Sequence, residues 1–194
     1  MNLNTLNKDI KYKILECIYF TPNNKNKLKK AVDIWCVNKK EALKKFGHIS
    51  NWNTFLIDDM SYLFETNDEV YRFHSEFNDD ISNWDVSNVK YMKCMFIDVS
   101  SFNKPLNSWD VSKVEDMYGM FKNASSFNQS LNSWDVSSVR CMESMFSGAK
   151  CFNGNISKWN ISNVNNMEKI FFECKNFNQP LNNWNVSSVI DMSN

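Results

Sequence analysis

Asp85, Asp110 and Asp135 recur at an interval of 25 residues, and Asn160 and Asn185 continue the series. A second polar series runs two residues earlier, through Asn83, Ser108, Ser133, Lys158 and Asn183. If successive members stack about 4.8 Å apart, as residues on neighbouring strands do, three carboxylates in a row repel unless they accept hydrogen bonds or share cations. Two kinds of chemistry fit. One is a polar strip that binds protein or sugar, with calcium between the carboxylates. The other is structural: each Asp accepts from nearby backbone amides and sets a turn. The structural reading is the plainer one, and the ten residues are the candidates for partner binding.

Nothing in the chain points to catalysis. Four glycines in the whole sequence leave no phosphate-cradling loop. Neither His48 nor His74 stands beside a nucleophile at any phase of the 25-residue interval, and no acid pair stands apart from the series. The six cysteines contain no C-x-x-C, and Cys94, Cys141, Cys151 and Cys174 fall at different phases. Free thiols in a reducing compartment are expected, with no zinc site, no other metal and no cofactor. The protein is expected not to be an enzyme.

The same interval organises the apolar residues. Trp84, Trp109, Trp134, Trp159 and Trp184 are 25 apart. A phenylalanine lies seven residues before each (Phe77 to Phe177) and an aliphatic residue three before (Ile81, Leu106, Leu131, Ile156, Leu181). Valine or isoleucine follows at two, valine at five and methionine at eight, from Val86, Val89 and Met92 onward; Phe96, Phe121, Phe146 and Phe171 stand at twelve. A fixed period of this length marks units that bury their apolar face only by stacking on neighbours.

Alternation at the tryptophan and the residue two later predicts a short strand. The switch to spacings of three and four predicts a short helix, capped by the serine present in every repeat (Ser87, Ser112, Ser137, Ser162, Ser187). The expected fold is an α/β repeat solenoid, leucine-rich-repeat-like, with a small all-α N-terminal module. On its strands the two polar series would face outward from the concave side. A degenerate repeat with Ile49, Trp52, Ile57, Met60 and Phe64 precedes the others, and about seven extra residues within 65–76 are expected to bulge as a loop. The expected divisions are 1–48, 49–76 and 77–194, the last repeat incomplete.

The residues at 177–192, 102–121 and 127–146 resemble the BspA-like leucine-rich repeat, a family of tandem repeats often described only as a domain of unknown function. The resemblance covers roughly 49–194. It implies a leucine-rich-repeat fold and adhesion or protein-interaction roles, and it carries no catalytic residues.

The first 48 residues differ. They hold 11 lysines against 4 acids, a net of +7, whereas 49–194 carry a net of −7. Leu6, Ile10, Ile14 and Ile18 form one helical stripe; Thr21 to Asn24 break it; Leu28, Val32, Trp35, Leu43 and Phe46 form a second pattern that Gly47 is placed to end. A helical cap over the first repeat accounts for this segment. It also resembles the opening of an F-box at Leu6, Asp9, Ile10, Ile14 and Leu15, with Asn7 where that family has proline and a loose match at 31–36. That resemblance implies docking of a ubiquitin-ligase adaptor, with the repeats holding a substrate. Nucleic acid is not expected as a partner, because this basic segment has no arginine and no basic–aromatic stripe. The opening residues do not read as a secretory leader and no apolar run is long enough to span a membrane, so an intracellular, cytoplasmic location is expected. A protein partner is expected on the repeats, and the oligomeric state is left open.

Overall fold

The computed structural model describes Ile10, residues 18–65 and residues 71–193. Two helices lead into a stack of repeats. Helix α1 (Lys25–Val37) starts where the Asn24 side chain accepts the Lys27 amide at 3.0 Å. Asn38 ends it, donating its N–H to the Ile34 carbonyl, and starts α2 (Lys39–Phe46) by accepting from the Glu41 amide. Gly47 ends α2 with φ 71°, a conformation that glycine adopts without a side-chain clash. The inner faces of both helices, with Leu28, Ala31, Val32, Trp35 and Ala42, are buried.

From residue 49 onward the sequence columns form the core. The tryptophans from Trp52 to Trp159 are at most 3% exposed, and the valine, methionine and phenylalanine columns are buried with them up to Ile170. Phenylalanines stack on their equivalents one repeat away with centroids 5.1–6.0 Å apart, from Phe64 on Phe96 to Phe102 on Phe127. Trp134 stacks on Trp159 at 6.4 Å. Parallel rings offset at this distance gain dispersion beyond their burial.

The strand-plus-helix repeat is overturned. Among the described residues no sheet forms; single parallel bridges join Asp59, Tyr91, Asp116, Cys141, Asn166 and Asp191 in turn. They lie seven residues after each tryptophan, not at the tryptophan where the alternation placed a strand. No helix follows the serines either, and the leucine-rich-repeat fold implied by the resemblance falls with both elements. Spacing by three reflects turns. Trp84 donates its N–H to Ile81, Val89 to Val86, Met95 to Met92, Val99 to Phe96 and Phe102 to Val99, at 2.9–3.2 Å. An α-helix needs bonds to the fourth residue back.

Four of the repeats also carry two residues in the left-handed region, and the first carries Tyr62. One set is Cys94, Gly119, Ser144 and Lys169; the other is Asp98, Asn123, Gly148 and Glu173. Either residue stops a right-handed helix. The amides freed in this way donate to the next repeat: Met92 to Asp116, Cys94 to Tyr118, Phe96 to Met120 and Asp98 to Lys122, at 2.7–2.9 Å. Bonds between repeats therefore satisfy the backbone that a helix would have satisfied internally.

The extra residues after the first repeat are not simply a bulge. They include a short helix α3 (Tyr71–Ser75) that returns to α1. His74 is buried there, its Nε2 3.0 Å from Asp33. Among the described residues, no helix is long and apolar enough to cross a membrane.

Candidate functional site

The ten candidate side chains do not sit on strands. They lie on turns, where nine are exposed and Asp85 is half-buried. The ladder of carboxylates is held by local bonds. Asp85 Oδ1 accepts from the Ser87 amide at 3.0 Å and from its hydroxyl at 2.6 Å, and Asp110 does the same with Ser112. Asp135, Asn160 and Asn185 accept from the amides of Ser137, Ser162 and Ser187. Hydrogen bonding from the Ser137 side chain and then from its amide holds the Asp135 carboxyl below its ordinary pKa. The repeating serine thus closes a turn onto the Asp or Asn before it and caps no helix.

The neighbouring polar residues tie repeats together. Ser108 Oγ donates to the Ser82 carbonyl and Ser133 Oγ to that of Asn107, at 2.8 and 2.7 Å. The Lys158 amide donates to Asn132 Oδ1. One residue past each repeating serine, Asn88, Ser138 and Asn163 donate to a carbonyl of the preceding repeat. The asparagine after each phenylalanine does most: Asn78, Asn103, Asn128 and Asn153 each accept the amide of the equivalent asparagine 25 residues on, at 2.8–3.0 Å. The Phe-Asn pair at the head of every repeat was the sequence signal for this ladder.

Two shallow polar grooves remain between repeats. One, about 360 Å³, is lined by Asn107, Gln129, Ser130, Asn132, Ser133 and Lys158 and so brings two of the ten candidates together. The other, about 350 Å³, holds Glu115, Ser137, Ser138, Arg140 and Asn163. Sequence columns did not single out Arg140 or Gln129, because each occurs at its phase in one or two repeats only. Lys158 and Arg140 form no ion pair among the described residues.

The family described as "Mycoplasma protein of unknown function, DUF285" matches residues 37–150 and 131–194. The chain belongs to that family. The DUF285 match takes in every repeat that carries the BspA-like resemblance and begins at the last residue of α1. Its description names no activity. No curated protein and no solved structure matches the chain.

Of the residues resembling an F-box, Leu6, Asp9, Ile14 and Leu15 lie outside the described residues; Ile10 is helical and about half exposed. Trp35, within the looser match, is turned into the DUF285 stack. Its ring meets Trp52 edge-on at 5.8 Å and its Nε1 donates to Asp79 at 2.8 Å. Phe20 and Phe46 also meet the Trp52 ring, and Lys25–Asp59 and Lys39–Asp79 pairs close the seam. Helices α1 and α2 therefore cover the first repeat.

The described thiols are free, and three of them are poorly disposed to react. Burial pushes Cys36 up to about 12 and Cys94 and Cys174 up to about 11, so little thiolate exists near neutrality. Among the described residues, no group of three or more His, Cys, Asp or Glu is placed to hold a metal.

Proposed function

We propose that the protein is a non-enzymatic binding scaffold whose partner is another protein, held along the turns that carry the two polar series. The observation behind this reading is the exposure, repeat after repeat, of the same polar phases, from Asn83 to Asn185, over a core whose apolar columns are closed as far as Ile170. Most polar atoms there already bond within the stack, so recognition falls to what is left over. Lys158 and Arg140, in adjacent grooves, are the charged groups best placed for it. A rigid scaffold presenting few free groups suits a protein surface better than a small molecule, which needs a deeper, more apolar cleft.

The test is affinity purification from cells with the full chain and with a Lys158→Glu/Arg140→Glu variant. Both residues are exposed, so the variant should fold. Loss of specific partners in the variant supports the reading; an unchanged partner set removes the grooves from it. Docking of a ubiquitin-ligase adaptor through Leu6, Asp9, Ile10, Ile14 and Leu15 rests on sequence resemblance alone. Deleting residues 1–17 tests it, because α1 and α2 stay to cover the first repeat. Surface adhesion is the competing role, and labelling of intact cells separates it from an interior one.

A further inference from the structure

We propose that Asn153–Gly154 is a site of spontaneous covalent modification, by imide closure and hydrolysis, which the junction with residues 178–179 holds shut. Asn153 belongs to the asparagine ladder, and its bond to Gly154 is the single Asn-Gly step in the chain. The other ladder asparagines are followed by Asp79, Lys104, Gln129 and Gln179. A side chain on the following residue crowds that residue's backbone nitrogen, and glycine removes the obstacle. Among the ladder asparagines, Asn153 is therefore the one most open to attack by the next backbone nitrogen.

The reaction needs water as its co-reactant and hydroxide as its base. The Gly154 backbone nitrogen, its proton lost to hydroxide, attacks Cγ of Asn153. The N–Cγ bond forms, the Cγ–Nδ2 bond breaks, and Nδ2 leaves as ammonia with a proton from water. Water then opens the five-membered imide. Cleavage of the bond to Cγ gives aspartate. Cleavage of the bond to the backbone carbonyl carbon gives isoaspartate, whose main chain is one carbon longer. Nothing is oxidised or reduced.

The folded chain opposes ring closure at both partners. Asn153 Oδ1 accepts the Asn178 amide at 2.9 Å and Gln179 Nε2 at 3.1 Å, and the Asn153 amide donates to Asn128 Oδ1 at 2.8 Å. Gly154 is buried against the preceding repeat, where a Cβ would stand 2.1 Å from the Gln129 carbonyl oxygen. Closing the ring requires the carboxamide to swing off Asn178 and the Gly154 nitrogen to turn toward it. The reaction is thus gated by local opening of this junction. Its isoaspartate product inserts a carbon where the packing leaves no room for one, so a junction that has reacted in this way does not close again. The site is a one-way record of opening between repeats.

The test follows the full chain in mildly alkaline buffer, folded and in urea, by peptide mapping with detection of isoaspartate. The expected result is modification at Asn153 that runs roughly tenfold or more slower in the folded chain than in urea. Gln179→Ala removes one of the two bonds to Asn153 Oδ1 and leaves the Asn178 amide in place. It should speed the folded reaction severalfold and leave the rate in urea unchanged. The isoaspartate fraction should melt below the unmodified chain. Equal rates in the folded chain and in urea, a folded rate indifferent to Gln179→Ala, or faster modification at Asn128 than at Asn153 would overturn the proposal.

Discussion

The two ends of the repeat stack contain the same columns and meet different fates. Trp52, in the degenerate first repeat, is 2% exposed because Phe20, Trp35 and Phe46 close around it. Trp184, in a repeat of better sequence, is only half-buried, and Ile190 beside it is nearly free. A unit of this kind contributes half of each junction, and its burial is decided by what stacks on it. A good repeat sequence does not by itself make a stable repeat.

The sharpest way to break this comparison is to remove one ring from each place. Trp134→Ala takes out a ring 3% exposed and leaves the Leu106 carbonyl without its 2.8 Å donor. It should cost about 3–5 kcal/mol in urea unfolding. Trp184→Ala should cost roughly half of that or less, because its ring is only half-buried. Equal losses would mean that position in the stack does not matter.

A backbone contrast comes next. Gly154 lies inside the stack, where an added Cβ would sit 2.1 Å from the Gln129 carbonyl oxygen of the preceding repeat. Gly154→Ala should therefore force two repeats apart and cost about 1–3 kcal/mol. Gly47→Ala meets no atom within 4 Å and is opposed only by its φ of 71°, worth about 1 kcal/mol. Thermal unfolding of the pair ranks the two effects.

The asparagine ladder gives a finer version. Asn128→Ala removes the acceptor for the Asn153 amide at 2.8 Å and should cost about 1 kcal/mol. Asn178→Ala removes an acceptor that holds no amide among the described residues and should be close to neutral in chemical denaturation.

The smallest effect concerns the covered end. Burial raises the carboxyls of Asp33, Asp59 and Asp79, and their hydrogen bonds, from His74 and Lys29, from Lys25, and from Lys39 and Trp35, more than offset it. All three thus titrate below their ordinary value. Carboxylates whose folded pKa is depressed contribute stability that is complete above the unfolded pKa, near 4, and is lost as pH falls through the folded one. Melting temperature should drop as pH is lowered from about 5 to about 3, and Asp79→Asn should flatten part of that drop. A drop of undiminished size in that variant would detach the Asp79 seam from acid sensitivity.

These contrasts also explain what could be read in the sequence. The core was legible because burial acts on residue type, so the Trp, Val, Met and Phe columns named the inside directly. The covering helices were legible in outline from Leu28, Val32 and Trp35 and from the stop at Gly47. The path of the backbone was not. Val89, Met92 and Phe96 have helical spacing, but turns closed three residues back produce the same spacing. The deciding residues were those in the left-handed region, and they are Tyr62, Cys94, Gly119, Ser144 and Lys169 at one phase. Four of the five are types that give no warning of a positive φ. The polar series were found and their local duty foreseen as one alternative; the Phe-Asn pair marked the phase of the ladder, yet the partner of each asparagine was hidden, because an amide 25 residues on leaves no mark on the acceptor's own neighbourhood. Nor could the sequence foresee that His74, in the insertion, would be buried against Asp33 of α1.

The central claim is that bonds between repeats take the place of helix and sheet within them. The most direct test is backbone NMR of the full chain, reading amide exchange and through-hydrogen-bond couplings across residues 112–123. The account predicts slow exchange at Met117, Gly119 and Phe121, with couplings from these amides to the carbonyls of Cys141, Glu143 and Met145, and a positive φ at Gly119 and Asn123. A contiguous protected block from Glu115 to Phe121 with helical shifts, coupled to carbonyls four residues back, would contradict it.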